Sequence, residues 1–163
     1  MKIFRSLFIS LIAIAICPGA VAQNAEVGFG IVQQNKGLPV EVTADSLAVD
    51  QATGKAIFTG NVVIVQGEMR LSANEVLVLY SEDPRGITRV EATGEVILIS
   101  GEDAAESERA DYDVTDGTIV MTGNVLLAQG LSTLTADKMT VQIESGTAQM
   151  SGSVKTIFRS EEN

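Results

Sequence analysis

The sequence predicts an all-β fold made of about four repeats of about 30 residues each, and three observations predict it. The first is period-2 alternation of apolar and polar residues, clean at Ala110, Tyr112, Val114 and at Met139, Val141, Ile143. That spacing puts side chains on one face of a strand. The second is punctuation. Thr53-Gly54, Gln66-Gly67, Asp83-Pro84-Arg85-Gly86, Ser100-Gly101, Asp116-Gly117, Gln129-Gly130 and Ser145-Gly146 are turn signals, at the roughly ten-residue spacing of an all-β chain. The third is self-similarity. Thr59-Gly60-Asn61-Val62 recurs as Thr122-Gly123-Asn124-Val125, and the same gapless offset pairs Gln66-Gly67 with Gln129-Gly130, Leu71 with Leu134, Ala73 with Ala136 and Val78 with Val141.

Taken in order, residues 1–22 read as a secretory signal peptide. Lys2 and Arg5 supply the positive start, residues 7–17 are apolar except for Ser10, and Ala20-Val21-Ala22 has the small-x-small pattern for cleavage between Ala22 and Gln23. The apolar run is about half of the roughly 20 residues a membrane anchor needs, and Pro18-Gly19 breaks it. Lipidation at Cys17 is disfavoured because bulky Ile16 precedes it. Removing 22 of 163 residues leaves 141, and losing Lys2 and Arg5 takes the net charge from −10 to −12. Residues 23–37, rich in Gly, Gln and Asn, read as a flexible lead-in. Residues 38–158 form the repeated domain, and 159–163 a short tail.

Within the domain, Leu47 and Val49 alternate with polar neighbours, while 62–65, 76–80, 96–99 and 125–128 are apolar on both faces. Ala44-Asp45, Ala73-Asn74, Ala110-Asp111 and Ala136-Asp137 each open a short apolar stretch. Gly60, Gly94, Gly123 and Gly152 recur inside strand-like pattern, where glycine weakens a sheet unless the backbone bends or bulges there. Repeats bending at the same point suit a stacked or jelly-roll sheet. The acidic run Glu102, Asp103, Glu106, Glu108 reads as a solvated loop with, at most, a helical turn over 103–111. Its spacing matches no calcium loop.

Composition excludes several chemistries. The chain has no histidine, and its one cysteine, Cys17, lies in the signal. Zinc sites built on His or Cys, and Ser-His-Asp or Cys-His nucleophiles, therefore cannot form in the mature chain. Net charge −12 opposes binding to nucleic acid. No phosphate-binding Gly-x-x-x-x-Gly-Lys-Ser/Thr loop is present. No catalytic residue, metal or cofactor is expected.

Pro39-Val40-Glu41-Val42, Ala44-Asp45, Phe58-Thr59-Gly60-Asn61-Val62, Gln66-Gly67 and Ala73-Asn74, with the second Thr-Gly-Asn-Val and Thr135-Ala136-Asp137-Lys138, closely resemble the OstA-like family of lipopolysaccharide export proteins. The likeness covers nearly the whole domain, although this chain is more acidic than the best-known members. It implies an elongated, open, V-shaped antiparallel β-jelly roll in the periplasm. It also implies an apolar groove that shields the lipid A acyl chains of lipopolysaccharide, and head-to-tail stacking with itself. The implied partners are an inner-membrane-anchored transport subunit at one end and the outer-membrane translocon at the other.

For such a groove, one strand parity offers Phe58, Val62 and Ile64, matched in the second half by Met121, Val125 and Leu127. Val76, Val78 and Val141 continue the stripe. The resemblance adds Val40, Val42, Ile99, Tyr112 and Val114. Read from the residues alone, such a stripe is ordinary packed core. The docking edges are expected at Leu38, Val40 and Val42, and at Val154, Thr156, Ile157 and Phe158, unless Pro39, Lys155 and Arg159 blunt them. The other readings are a docking module of the same pathway and, from another class, a β-solenoid carbohydrate-active enzyme.

Overall fold

Each long strand bends sharply once, and the bends are made by pairs of a glycine and the residue after it, both at positive φ. Residues 25–29, 38–81 and 86–158 are described by the computed structural model. They form β1 (Ala25–Gly28), β2 (Glu41–Thr43), β3 (Ser46–Asp50), β4 (Lys55–Gln66), β5 (Met69–Ser81), β6 (Gly86–Ser100), β7 (Asp103–Asp113), β8 (Thr118–Gln129), β9 (Ser132–Gln142), β10 (Thr147–Ser151) and β11 (Lys155–Ile157). All pair antiparallel in one open sheet of order β1-β10-β9-β8-β7-β6-β5-β4-β2, with β3 also on β4 and β11 also on β9. From β4 to β10 it is a meander of hairpins.

Register breaks line up across this meander. Between Thr59 and Val62 on β4, Thr93 and Val96 on β6, and Thr122 and Val125 on β8, two residues face one on the neighbouring strand. That is the signature of a bulge, which bends and twists a strand. The paired residues are Gly60-Asn61, Gly94-Glu95 and Gly123-Asn124, and Gly152-Ser153 does the same between β10 and β11. All eight have positive φ, from 46° to 83°. The single residues opposite are Asp45, Asn74, Glu108 and Asp137, each packed against a bend glycine. Their side chains also reach the second bend residue: Asn61 donates to Asp45 at 2.8 Å, Asn74 to Glu95 at 3.4 Å, Asn124 to Glu108 at 2.6 Å and Ser153 to Asp137 at 3.1 Å. The repeat is thus one bent hairpin, with one strand of each bend type.

This line of bends folds the sheet into two facing layers. The first layer holds 55–59, 75–81, 86–93, 109–113, 118–122 and 138–142, with β1, β3 and β10. The second holds 62–66, 69–73, 96–100, 103–107, 125–129 and 132–136, with β2 and β11. At the apex, valines pair with small residues: Val62 with Ala73, Val96 with Ser107, Val125 with Ala136. Those valines are at most 1% exposed. Small partners let the layers converge there, and larger side chains hold them apart beyond.

Three expectations change. Residues 102–108 do not form a loop or helical turn, because 103–108 lie in β7 between two strands, where every second side chain alternates with buried Ala105, Ser107 and Ala110. The repeat echo read at Ala110-Asp111 falls instead on Ser107-Glu108, whose Glu108 packs against the third bend glycine, Gly123. Ala110-Asp111 imitates the Ala-Asp echo, whereas Ser107-Glu108 occupies the place. Within the lead-in, Ala25–Gly28 is a strand on β10 and Phe29 is buried, since this short stretch completes an edge and a core. The signal peptide with its Ala22/Gln23 junction, residues 30–37 and the tail 159–163 lie outside the described residues.

Candidate functional site: an apolar cleft between the layers

Opposite the apex, between β2 and β8, the layers leave a cavity of about 180 Å³. The first layer contributes Val78, Ile87, Val90, Ala92, Ala110, Tyr112 and Ile119, with Val114 just past β7; the second contributes Val42, Ile64, Gln66, Met69, Leu71 and Leu98, with Val40 before β2. Among the described residues no charged side chain lines it. Gln66 is turned to structure, its Nε2 donating to the Leu38 carbonyl at 3.1 Å, which ties the segment before β2 to the cleft wall. Tyr112 is half-buried. Burial, and secondarily the Asp113 carboxylate, raises its phenol above the ordinary value, so it stays neutral.

The candidate lining residues fall into three groups. Val40, Val42, Ile64, Val78, Tyr112 and Val114 face the cavity. Val62, Val76, Met121, Val125, Leu127 and Val141 are at most 1% exposed and belong to the closed core, while Phe58 is half-buried against that core near the β3 end. Ile99 is placed otherwise than expected. It is 37% exposed, and Leu98 takes the inward position. Residues 96–99 are apolar throughout, so parity was ambiguous there, and burial of Val96, Leu98 and Ser100 resolves it. Gln66, Met69, Leu71, Ile87, Val90, Ala92, Leu98, Ala110 and Ile119 were not anticipated. The alternation Ala110, Tyr112, Val114 was the available signal for one of them.

Charge is kept to the outside. Glu91 and Asp111 are directly opposed across β6 and β7, an unfavourable like-charge pair by itself. Arg109 answers both, reaching Glu91 at 2.8 Å and Asp111 through Nε at 2.9 Å and Nη2 at 2.8 Å; Arg89 reaches them at 3.0 and 3.2 Å. Hydrogen bonds from Arg109 first, then Arg89, hold the Asp111 carboxyl below its ordinary value.

The ends of the sheet expose apolar edges. On β3, Leu47 and Val49 lie opposite inward-facing Phe58 and Ala56, yet they are 55% and 60% exposed because no further strand of the described residues covers them. Leu38 and Val40 are exposed beside β2. At the other end Ile157 and Phe158 are exposed, while Thr156 is partly buried and Val154 packs against the core. β11 pairs on one side with β9. β10, by contrast, has its outer edge occupied by β1.

A family model described as LptA/(LptD N-terminal domain) LPS transport protein matches residues 41–147. An uncharacterized protein of Rhizobium meliloti (strain 1021), R00383, is 32% identical over 113 residues, covering 65% of this chain and 61% of that protein. The chain thus spans less than two thirds of that relative's length. The crystal structure of LptH, described as the LptA homologous periplasmic component of the conserved lipopolysaccharide transport device from Pseudomonas aeruginosa, aligns with a TM-score of 0.69 at 18% identity. The match covers 77% of this chain and 99% of that one. At that identity the likeness is one of fold.

Proposed function

Since this chain belongs to the LptA/LptD N-terminal-domain family of lipopolysaccharide transport proteins, we propose that it is a periplasmic carrier that shields the acyl chains of lipid A between its layers. The observation that carries this reading is the cleft itself. Among the described residues it is lined by aliphatic side chains from both layers, with one phenol, one amide and no charge. Each methylene taken from water into such a lining contributes about 0.8 kcal/mol, so a short length of acyl chain suffices for retention. A chain of net charge −10 gains nothing from overall attraction to a phosphorylated headgroup, so the grip belongs to the hydrocarbon. The work is shielding and handing on, without catalysis.

The uncovered edges support the second half of the function. Among the described residues, β2 and β3 at one end and β11 at the other present unpaired backbone beside exposed Val40, Leu47, Val49 and Ile157. Such edges accept a strand from another protein. A contact between unlike ends propagates instead of closing into a dimer, which suits a bridge from an inner-membrane-anchored subunit, through copies of this chain, to the outer-membrane translocon.

The test is photo-crosslinking in cells, with the reactive group at Val42 or Tyr112. Labelled lipopolysaccharide at both positions is expected. Labelling at outer-face positions with neither of these labelled would end the groove reading. Depletion of the protein with undiminished delivery of lipopolysaccharide to the surface would end the transport reading.

A further inference from the structure

The interior is open over part of its length. The cavity takes lining residues from β2 and β4–β8 and none from β9 or β10. Beyond it, Phe29 is 1% exposed and belongs to the core, although it lies outside the repeat. The Phe29 N–H donates to the Gly146 carbonyl at 2.9 Å, in the β9–β10 turn of the first layer. The adjacent Gly28 carbonyl accepts from Nε2 of Gln129 at 2.7 Å, at the end of β8 in the second layer. Two successive residues therefore tie the lips of the two layers together and place an aromatic side chain in the interior.

The closure is built to be light. β1 has four residues and pairs along one side with β10, and short edge segments are where sheets open first. The cavity left open, about 180 Å³, is close to the roughly 150 Å³ that holds one benzene. That accommodates a fragment of one acyl chain, so a cargo with several chains needs more room than the closed form offers.

We propose that Ala25–Phe29 is an intramolecular stopper. With β1 on β10 and Phe29 between the layers, the groove is shut at its β9–β10 end. When the segment leaves β10, the volume Phe29 holds joins the cavity and takes acyl chain. The proposal rests on the groove reading above and names how that site is regulated.

Glu26 and Gln149 allow the test. They are directly opposed in register and both exposed. The bond from Phe29 to Gly146 and the alternation of an antiparallel ladder make them a non-hydrogen-bonded pair, the closer kind. Glu26→Cys with Gln149→Cys, and Cys17→Ser to remove the chain's one cysteine, gives a segment that can be locked by oxidation and freed by reduction. Binding of purified lipopolysaccharide is measured in both states. The reduced form is expected to bind at least about tenfold more tightly than the oxidised form, and Phe29→Ala in the parent chain to bind more tightly than the parent. Equal binding by a locked and a freed protein overturns the stopper while leaving the groove reading intact. Failure of the freed protein to bind overturns the groove reading, and the stopper with it.

Discussion

The side-chain amide of Asn124 donates to the Glu108 carboxylate at 2.6 Å, spanning the bend from its two-residue side to its one-residue side. Gly123 precedes Asn124 at φ 83°, and a Cβ built there would lie 2.7 Å from Glu108 Oε2 and 2.8 Å from Glu108 Cβ. Gly123→Ala therefore combines left-handed strain with a clash, and is expected to cost roughly 2–3 kcal/mol. Gly117 has φ 62° with nothing within 4 Å of such a Cβ, so Gly117→Ala should cost roughly 1 kcal/mol, the strain alone. Urea denaturation of both variants checks the difference. Equal losses would mean that the crowding at the bend carries no weight.

Leu98 and Ile99 are adjacent and apolar, but Leu98 lines the cleft and Ile99 is 37% exposed. A crosslinker at Leu98 should capture lipopolysaccharide several-fold more efficiently than one at Ile99. Preferential labelling at Ile99 would place the lipid on the outer face.

Ile157 is 47% exposed on β11, whose outer edge is free of any described strand. Ile157→Asp should weaken self-association by about tenfold, one buried aliphatic contact being worth roughly 1.5–3 kcal/mol. The melting temperature should scarcely move, because the side chain supports no core. Analytical ultracentrifugation across a concentration series checks this, and an unchanged size distribution would remove β11 from the interface.

Asp111 makes stability depend on pH in a defined direction. Hydrogen bonds from Arg109 and Arg89 lower its folded-state value, so folding favours the ionised form. That contribution is complete above the ordinary carboxyl value of about 4 and is lost as pH falls through the lowered one. Asp111→Asn should cost about 1 kcal/mol at pH 7, because both arginines are partly exposed and screened. The gap from the parent should close as the pH is taken well below 4. A gap that persists in strong acid would mean that the loss comes from packing.

Much of this architecture is legible in residue order because it is local. Turn glycines, two-residue alternation and the four repeated bend glycines each act through their own backbone, and they sufficed for the all-β fold and its bends. Disguise defeated the echo at the third bend. Ser107-Glu108 fills the place with different letters, while Ala110-Asp111 carries familiar letters at the wrong position.

Sequence by itself determined that the chain is a repeated, bent, all-β sheet without histidine chemistry. These properties follow from composition and from interactions between near neighbours. Tertiary structure alone decided the rest. Strands apolar on both faces do not say which parity is inward, so Leu98 displaced Ile99 when the two layers closed. Residues of one stripe divided into cleft and core by distance from the bend, as for Val78 and Val76, and by place along the groove, as for Val78 and Val141. Phe29, far in sequence from Gln129 and Gly146, stands where it does because two lips of a folded sheet meet there. Burial of that kind is set by elements distant along the chain, and local pattern does not encode it.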